Sequence, residues 1–191
     1  MEERNALLKK NLDLLYQSTL AGVICILLMI IPLVNIIALV VALIAAIMVF
    51  VAMYRLRAVH DDYHTAFSLS IINIALQLIG GIAGGWLESS IELISAAVVF
   101  AQTYHIIRAT NSFLAELGRS DVIERGEATI KMYIINLVVS IVASVLLMIA
   151  GNSVGGLMVA LLAIVAVVSL VVSIMAIVQY LKYLGAAKEC F

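Results

Sequence analysis

From Leu14 to Met53 the chain carries no Asp, Glu, Lys or Arg. A bilayer's hydrocarbon core is about 30 Å thick and takes roughly 20 helical residues to cross, so this stretch is long enough to cross twice. Pro32 and Asn35, in IIPLVNII, interrupt it near the middle. Both residue types favour turns, and a backbone that reverses at the membrane edge keeps its polar groups out of lipid. Two spans joined by a tight turn therefore fit better than one kinked helix that overshoots the bilayer.

The pattern recurs twice, once with its turn at the Gly cluster GGIAGG and once with its turn at GNSVGG. The expected fold is an all-α polytopic membrane protein: a single transmembrane domain of six helices in three hairpins, over about 14–57, 63–108 and 129–184, with an inner connection over 109–128. Tyrosines open and close each hairpin: Tyr16 and Tyr54, Tyr63 and Tyr104, Tyr133 and Tyr180, with Tyr183 a turn further on. All seven tyrosines thus fall on one side, as an interfacial aromatic belt requires. Beyond these anchors the hairpins share little, and a threefold duplication is only a suggestion. Composition agrees with the membrane reading, since 65% apolar and 12% charged residues lie far from the soluble norms of about 45–50% and about 25%.

The eleven basic residues, from Arg4 to Lys188, all belong to the termini or to the connections after spans two and four. The positive-inside rule makes that side cytoplasmic, so both termini face inward. Minimal outer turns and the absence of any N-x-S/T sequon fit a plasma membrane. Cys25 and Cys190 build no disulfide framework, and Cys190 stands too near the end for a prenylation box. No cleaved signal peptide is expected. Leu8, Leu12 and Leu15 share a face ahead of the first span, which suits either a segment lying along the inner interface or a plain helical extension. Asp121 followed by Glu124 resembles a capping box, so a helix is expected to start there and run into span five.

The acids Glu88 and Glu92 pose the functional question, because no Lys or Arg lies between Arg57 and Arg108. With Tyr104 at the inner boundary of span four, Glu92 stands roughly 18 Å above it and Glu88 roughly 24 Å. Glu88, Glu92, Ser95, Val99 and Gln102 fall on one helical face, and Ser70, Asn73, Gln77, Gly81 and Gly84 form a matching stripe on span three. Gln77 comes out near the level of Glu92. Spans five and six add Asn136, Ser140, Ser144, Ser169 and Ser173, so a polar centre would be built by the last four helices. Spans one and two offer mainly an alanine row, Ala38, Ala42, Ala45 and Ala46, for packing.

Two readings of this pattern stand side by side. In one, Glu92 faces a wet pocket and binds a cation, a proton or a small polar solute, with Glu88, Gln77, Asn73, Ser144 and Ser169 around it. A carboxylate with no base near it must bind a cation, accept a proton or stay hydrated. In the other, both acids cap the first turns of span four in surface water, and Ser and Asn merely tie helices together. Gly80, Gly81, Gly84 and Gly85 form overlapping GxxxG pairs that serve packing or the turn before Trp86.

The connector VHDDYH holds the weak candidates for a metal, His60, Asp61 and His64, although Asp61 or Asp62 is equally wanted as the cap of span three. No Ser/His/Asp set, HExxH or phosphate loop occurs, so no cofactor is implied, and a lipid-facing enzyme using this connector stands only as a distant third reading. There is no basic block for a nucleic acid. In helix number and length the chain resembles two groups of small six-span bacterial membrane proteins, the substrate-binding components of energy-coupling-factor transporters and the three-hairpin acid-resistance membrane proteins. The resemblance carries no motif and assigns no residue a role. The sequence thus points to transport or permeation, with a non-catalytic scaffold or accessory subunit as the alternative. The partners to expect are the lipid bilayer and either a second copy or another membrane protein.

Overall fold

The computed structural model describes residues 2–28, 31, 35–82, 86–150 and 156–191. They form six helices: α1 Glu2–Leu28, α2 Asn35–Leu56, α3 Asp61–Gly80, α4 Trp86–Glu116, α5 Ser120–Ala150 and α6 Gly156–Lys188. No strand occurs among the described residues. Five of the helices, α2 to α6, are long and apolar enough to cross a membrane. The expected outer turns, with Pro32, Gly84, Gly85, Asn152 and Ser153, lie outside the described residues, as do the side chains of Asn35, Trp86 and Glu88.

Each helix packs on its neighbours in sequence, most extensively α1 on α2, α3 on α4 and α5 on α6. Helix α1 also packs on α6, which closes the order into a ring. On α2 part of the expected alanine row does the packing: Ala38 and Ala45 are buried and Ala42 is half-buried, while Ala46, Ile36, Leu39, Leu43 and Ile47 are exposed. Small side chains let two backbones approach, which matters because lipid gives apolar helices no hydrophobic reason to associate.

The large buried side chains gather at one end. Leu8, Leu12 and Leu15 of α1, Met53 and Leu56 of α2, Tyr63 of α3, Ile107 and Leu114 of α4, Val122 of α5, and Tyr183 and Leu184 of α6 form one cluster. The N-terminal segment is therefore an extension of α1 packed into this core, and it does not lie flat in the interface. Tyr63, Tyr180 and Tyr183 are buried too. They share the expected end with the other tyrosines, yet act as core side chains instead of lipid-interface anchors. Tyr54 is exposed and carries the Arg57 guanidinium 3.9 Å from its ring centroid.

The inner connection expected over 109–128 shrinks to a turn at 117–119, because α4 runs on to Glu116 and α5 starts at Ser120. The reason lies in Ala109, Phe113, Leu114 and Val122, which continue the apolar core pattern past the expected end of the span at 108. Gly118 ends α4 at φ 69°, a conformation open to glycine. There the Arg119 N–H donates to Leu114 O and the Gly118 N–H to Ala115 O, the paired bonds of a Schellman motif. The expected Asp121–Glu124 box does not form. Val122 and Ile123 donate their N–H groups to Arg119 O, so Asp121 sits inside the first turn with its carboxylate taken by the Arg119 guanidinium at 3.1 Å.

Ion pairs rim the packed end: Arg4 with Glu116 at 2.6 Å joins α1 to α4, and Lys188 with Asp13 at 2.6 Å joins α6 to α1. Beneath them the Tyr183 hydroxyl donates to Asn111 Oδ1 at 2.8 Å. The buried Gly126 lets α5 close on this pair, since a Cβ there would stand 2.9 Å from both the Asn111 amide and the Tyr183 ring. Gly126→Ala should therefore destabilise the bundle by about 1–3 kcal/mol through overpacking, read as a lowered unfolding midpoint in detergent micelles. An unchanged midpoint would mean that α5 does not approach this closely.

Candidate functional site

The polar stripes of α3 and α4 face each other as the 3.6-residue period requires. Ser95, 4% exposed, is their meeting point. Its hydroxyl donates to Asn73 Oδ1 at 2.5 Å and accepts from the Gln77 amide at 2.9 Å. One serine thus links two side chains of the neighbouring helix. Gly80 makes the approach possible one turn further out, where a Cβ would stand 3.1 Å from Ile91 Cγ2. Packing accounts for this glycine.

Glu92 and Gln77 border a cavity of about 190 Å³ between α3 and α4, together with Leu76, Gly80, Gly81 and Ile91. Both polar side chains are exposed. At 100° per residue, Ile91 and Ser95 form the side of α4 that meets α3, while Ala96 and Phe100 line a second cavity toward α5. Glu92 falls on the short arc between those two contacts, which in a closed ring is the arc turned to the axis. The second cavity, about 150 Å³, is lined by Ser95, Ala96, Val99, Phe100, Tyr133, Asn136 and Leu137. Ser95 lines this second cavity and reaches the first only through its hydrogen bond with Gln77.

From Asn136 the polar line continues to α6, where the Ser173 hydroxyl donates to Asn136 Oδ1 at 2.8 Å. Ser140 donates back to the Asn136 carbonyl and stays within its own helix. One turn beyond Ser173, the Ser169 hydroxyl oxygen is shielded from solvent with no hydrogen-bond partner among the described residues. Ser144 is half-buried. Of the residues picked out in the sequence, Asn73, Gln77 and Glu92 come together beside Ser95. Ser144 and Ser169 belong to the α5 and α6 part of the polar line, and the side chain of Glu88 lies outside the description. Ser95 is the member whose weight went unrecognised. Its signal was its place three residues from Glu92 on the stripe opposite Asn73 and Gln77.

Charge around this site has one sign. On α4 the nearest base in sequence is Arg108, roughly 24 Å along the helix axis from Glu92, and no ion pair to Glu92 occurs among the described residues.

The VHDDYH connector is organised differently from a metal site. His60, not an aspartate, is the N-cap of α3, and its Nδ1 accepts the Asp62 N–H at 3.1 Å. Asp61 and His64 are exposed in the following turn. Among the described residues no three His, Cys, Asp or Glu side chains gather as metal ligands. Asp62 turns instead to α4, 2.7 Å from His105 Nδ1 and 3.5 Å from Arg108 Nε. This pairing stitches α3 to α4 at the packed end, and its sequence signal was a His and an Arg three residues apart opposite an acid.

No protein-family model, curated protein or solved structure matches the chain.

Replacing Ser95 by Ala removes the shared partner of Asn73 and Gln77. The expected cost is about 0.6–2 kcal/mol, the usual range for interhelical hydrogen bonds in membranes, measured as a drop in unfolding free energy in micelles. A neutral Ser95→Ala would show that the two amides find equal partners in water.

Proposed function

We propose that the protein crosses a plasma membrane six times as three hairpins, with both termini cytoplasmic, and that it moves a cation, a proton or a small polar solute through an outward-facing pocket built by α3 to α6. Five helices have the length and apolarity of spans, and α1 adds an uncharged run from Leu14 to Leu28 as the sixth. The bases lie at the end where the core is packed, which the positive-inside rule assigns to the cytoplasm.

The observation that carries the reading is Glu92: an exposed carboxylate with no ion-pair partner among the described residues, on the axial arc of α4, beside Gln77 and a cavity of about 190 Å³. A carboxylate in that position at membrane depth is expensive unless it is hydrated, protonated or matched by a cation. Gln77 offers a neutral amide oxygen beside it, and Asn73 and Ser95 hold that amide in place. The shielded Ser169 hydroxyl supports a polar path that continues past α4. The tightly packed opposite end supports a conformation closed to the cytoplasm, with the Asp62–His105, Lys188–Asp13 and Arg4–Glu116 contacts as the ties that opening must loosen. A scaffold or accessory subunit is the second reading, favoured by the broad exposed apolar faces of α5 and α6, such as Val138, Val142, Val167 and Val171.

Glu92→Gln keeps the shape and removes the charge. In vesicles reconstituted with the full chain, it should abolish cation- or proton-coupled flux, a loss of at least tenfold, while the unfolding midpoint in micelles stays close to wild type. Undiminished flux in the variant would overturn the assignment of Glu92. Absence of flux in the wild type, together with a copurifying membrane partner, would favour the scaffold.

A further inference from the structure

On the outer surface of the ring, at its packed and basic end, α5 and α6 enclose a cavity of about 280 Å³ lined by Arg125, Ala128, Thr129, Gln179 and Lys182. Arg125 and Lys182 also line an adjoining cavity of about 340 Å³ with Tyr16, Val178, Leu181, Gly185, Ala186 and Glu189. Among the described residues the side chains of Arg125, Gln179 and Lys182 form no hydrogen bond or ion pair. Two neighbouring cations differ in this respect, for Arg119 is held by Asp121 and Lys188 by Asp13. No acid lines the first cavity. Glu189 borders the second, about two turns beyond Lys182 and away from the membrane. Lys9 and Lys10 line the next cavity along, together with Glu189 and the Lys188–Asp13 pair, so the bases there outnumber the acids by one.

We infer that Arg125, Lys182 and Gln179 form a binding site for the phosphate headgroup of an anionic phospholipid. Two cations of like sign held toward one cavity repel each other, and an anion between them turns that repulsion into two charge-assisted hydrogen bonds. The guanidinium and the ammonium supply the charge, and the Gln179 amide supplies a neutral donor to a phosphate or glycerol oxygen. Thr129 contributes shape only, because its hydroxyl donates to the Arg125 carbonyl at 2.8 Å.

A lipid is favoured over free phosphate by what lies next to the cavity. Val171, Met175 and Val178 are exposed and stand on the same face of α6 as Lys182 at 100° per residue. They form an apolar track running roughly 17 Å from the cations toward the middle of the membrane, a path for an acyl chain that inorganic phosphate cannot use. Basic pockets between membrane helices on the cytoplasmic side are the usual setting for anionic headgroups. The site is separate from Glu92 and stands whether or not the protein moves a solute.

The test uses the full chain in neutral detergent micelles doped with phosphatidylglycerol or with phosphatidylcholine, and counts retained lipid by native mass spectrometry. Wild type should retain one phosphatidylglycerol at least tenfold more strongly than phosphatidylcholine. The double substitution Arg125→Gln, Lys182→Gln should erase that preference, whereas Lys131→Gln, one to two turns along α5 and lining neither cavity, should keep it. Equal retention of the two lipids by wild type, a measurement that needs no variant, would overturn the proposal. So would an unchanged preference in a double variant whose unfolding midpoint matches wild type. Displacement of phosphatidylglycerol by millimolar inorganic phosphate would reassign the pocket to a free anion and defeat the lipid assignment.

Discussion

Lipid offers apolar helices as good a neighbour as they offer one another, so something else must hold this ring closed. That something is the cluster of large side chains at the basic end, where Tyr63, Tyr183, Leu56, Ile107 and Leu114 are removed from solvent and lipid alike. This end carries the charged residues, and the apolar pattern continues past the tyrosines into α1, α4, α5 and α6, where burial away from water would stabilise it. Towards the other end the helices meet mainly through small residues and single polar contacts: Ala38 and Ala45 on α2, Gly80 against Ile91, Ser95 with Asn73 and Gln77, Asn136 with Ser173.

That unequal distribution of packing allows the site to exist. A bundle filled along its whole length would have no room beside Glu92. Anchored at one end, the ring tolerates a cavity of about 190 Å³ beside Glu92 and one of about 150 Å³ beside Ser95, and leaves a carboxylate with no ion-pair partner among the described residues. The same end presents two unlike charged surfaces. Between α3 and α4, Asp62 is paired with His105 and Arg108. Between α5 and α6, Arg125 and Lys182 share a cavity and have no ion-pair partner among the described residues.

Much of the candidate site was legible because helical periodicity is a strong rule. The spacing of Asn73 and Gln77 on one helix and of Glu92 and Ser95 on the next put them on facing stripes, and the depth estimate put Gln77 near Glu92. The sequence did not reveal that Ser95 would be the shared partner. That depends on how closely α3 and α4 approach, which Gly80 governs through a contact made only in three dimensions. His60 as a cap was equally hidden, since His, Asp61 and Asp62 all offer an acceptor and only the backbone angle at the helix start selects one.

By itself the sequence determined that the chain is helical, that its helices have the length and apolarity of membrane spans, and that its bases and tyrosines collect at one end. These are properties of single segments: length, hydropathy and period are fixed before any two helices meet. The tertiary structure alone decided that α1 closes on α6, that three tyrosines serve as core, that the connection at 109–128 is two helix ends around Gly118, and that Arg125 and Lys182 share a cavity. Each of those depends on which faces come into contact, and in lipid that choice is made by a few small residues and polar groups whose meeting the order of the chain does not specify.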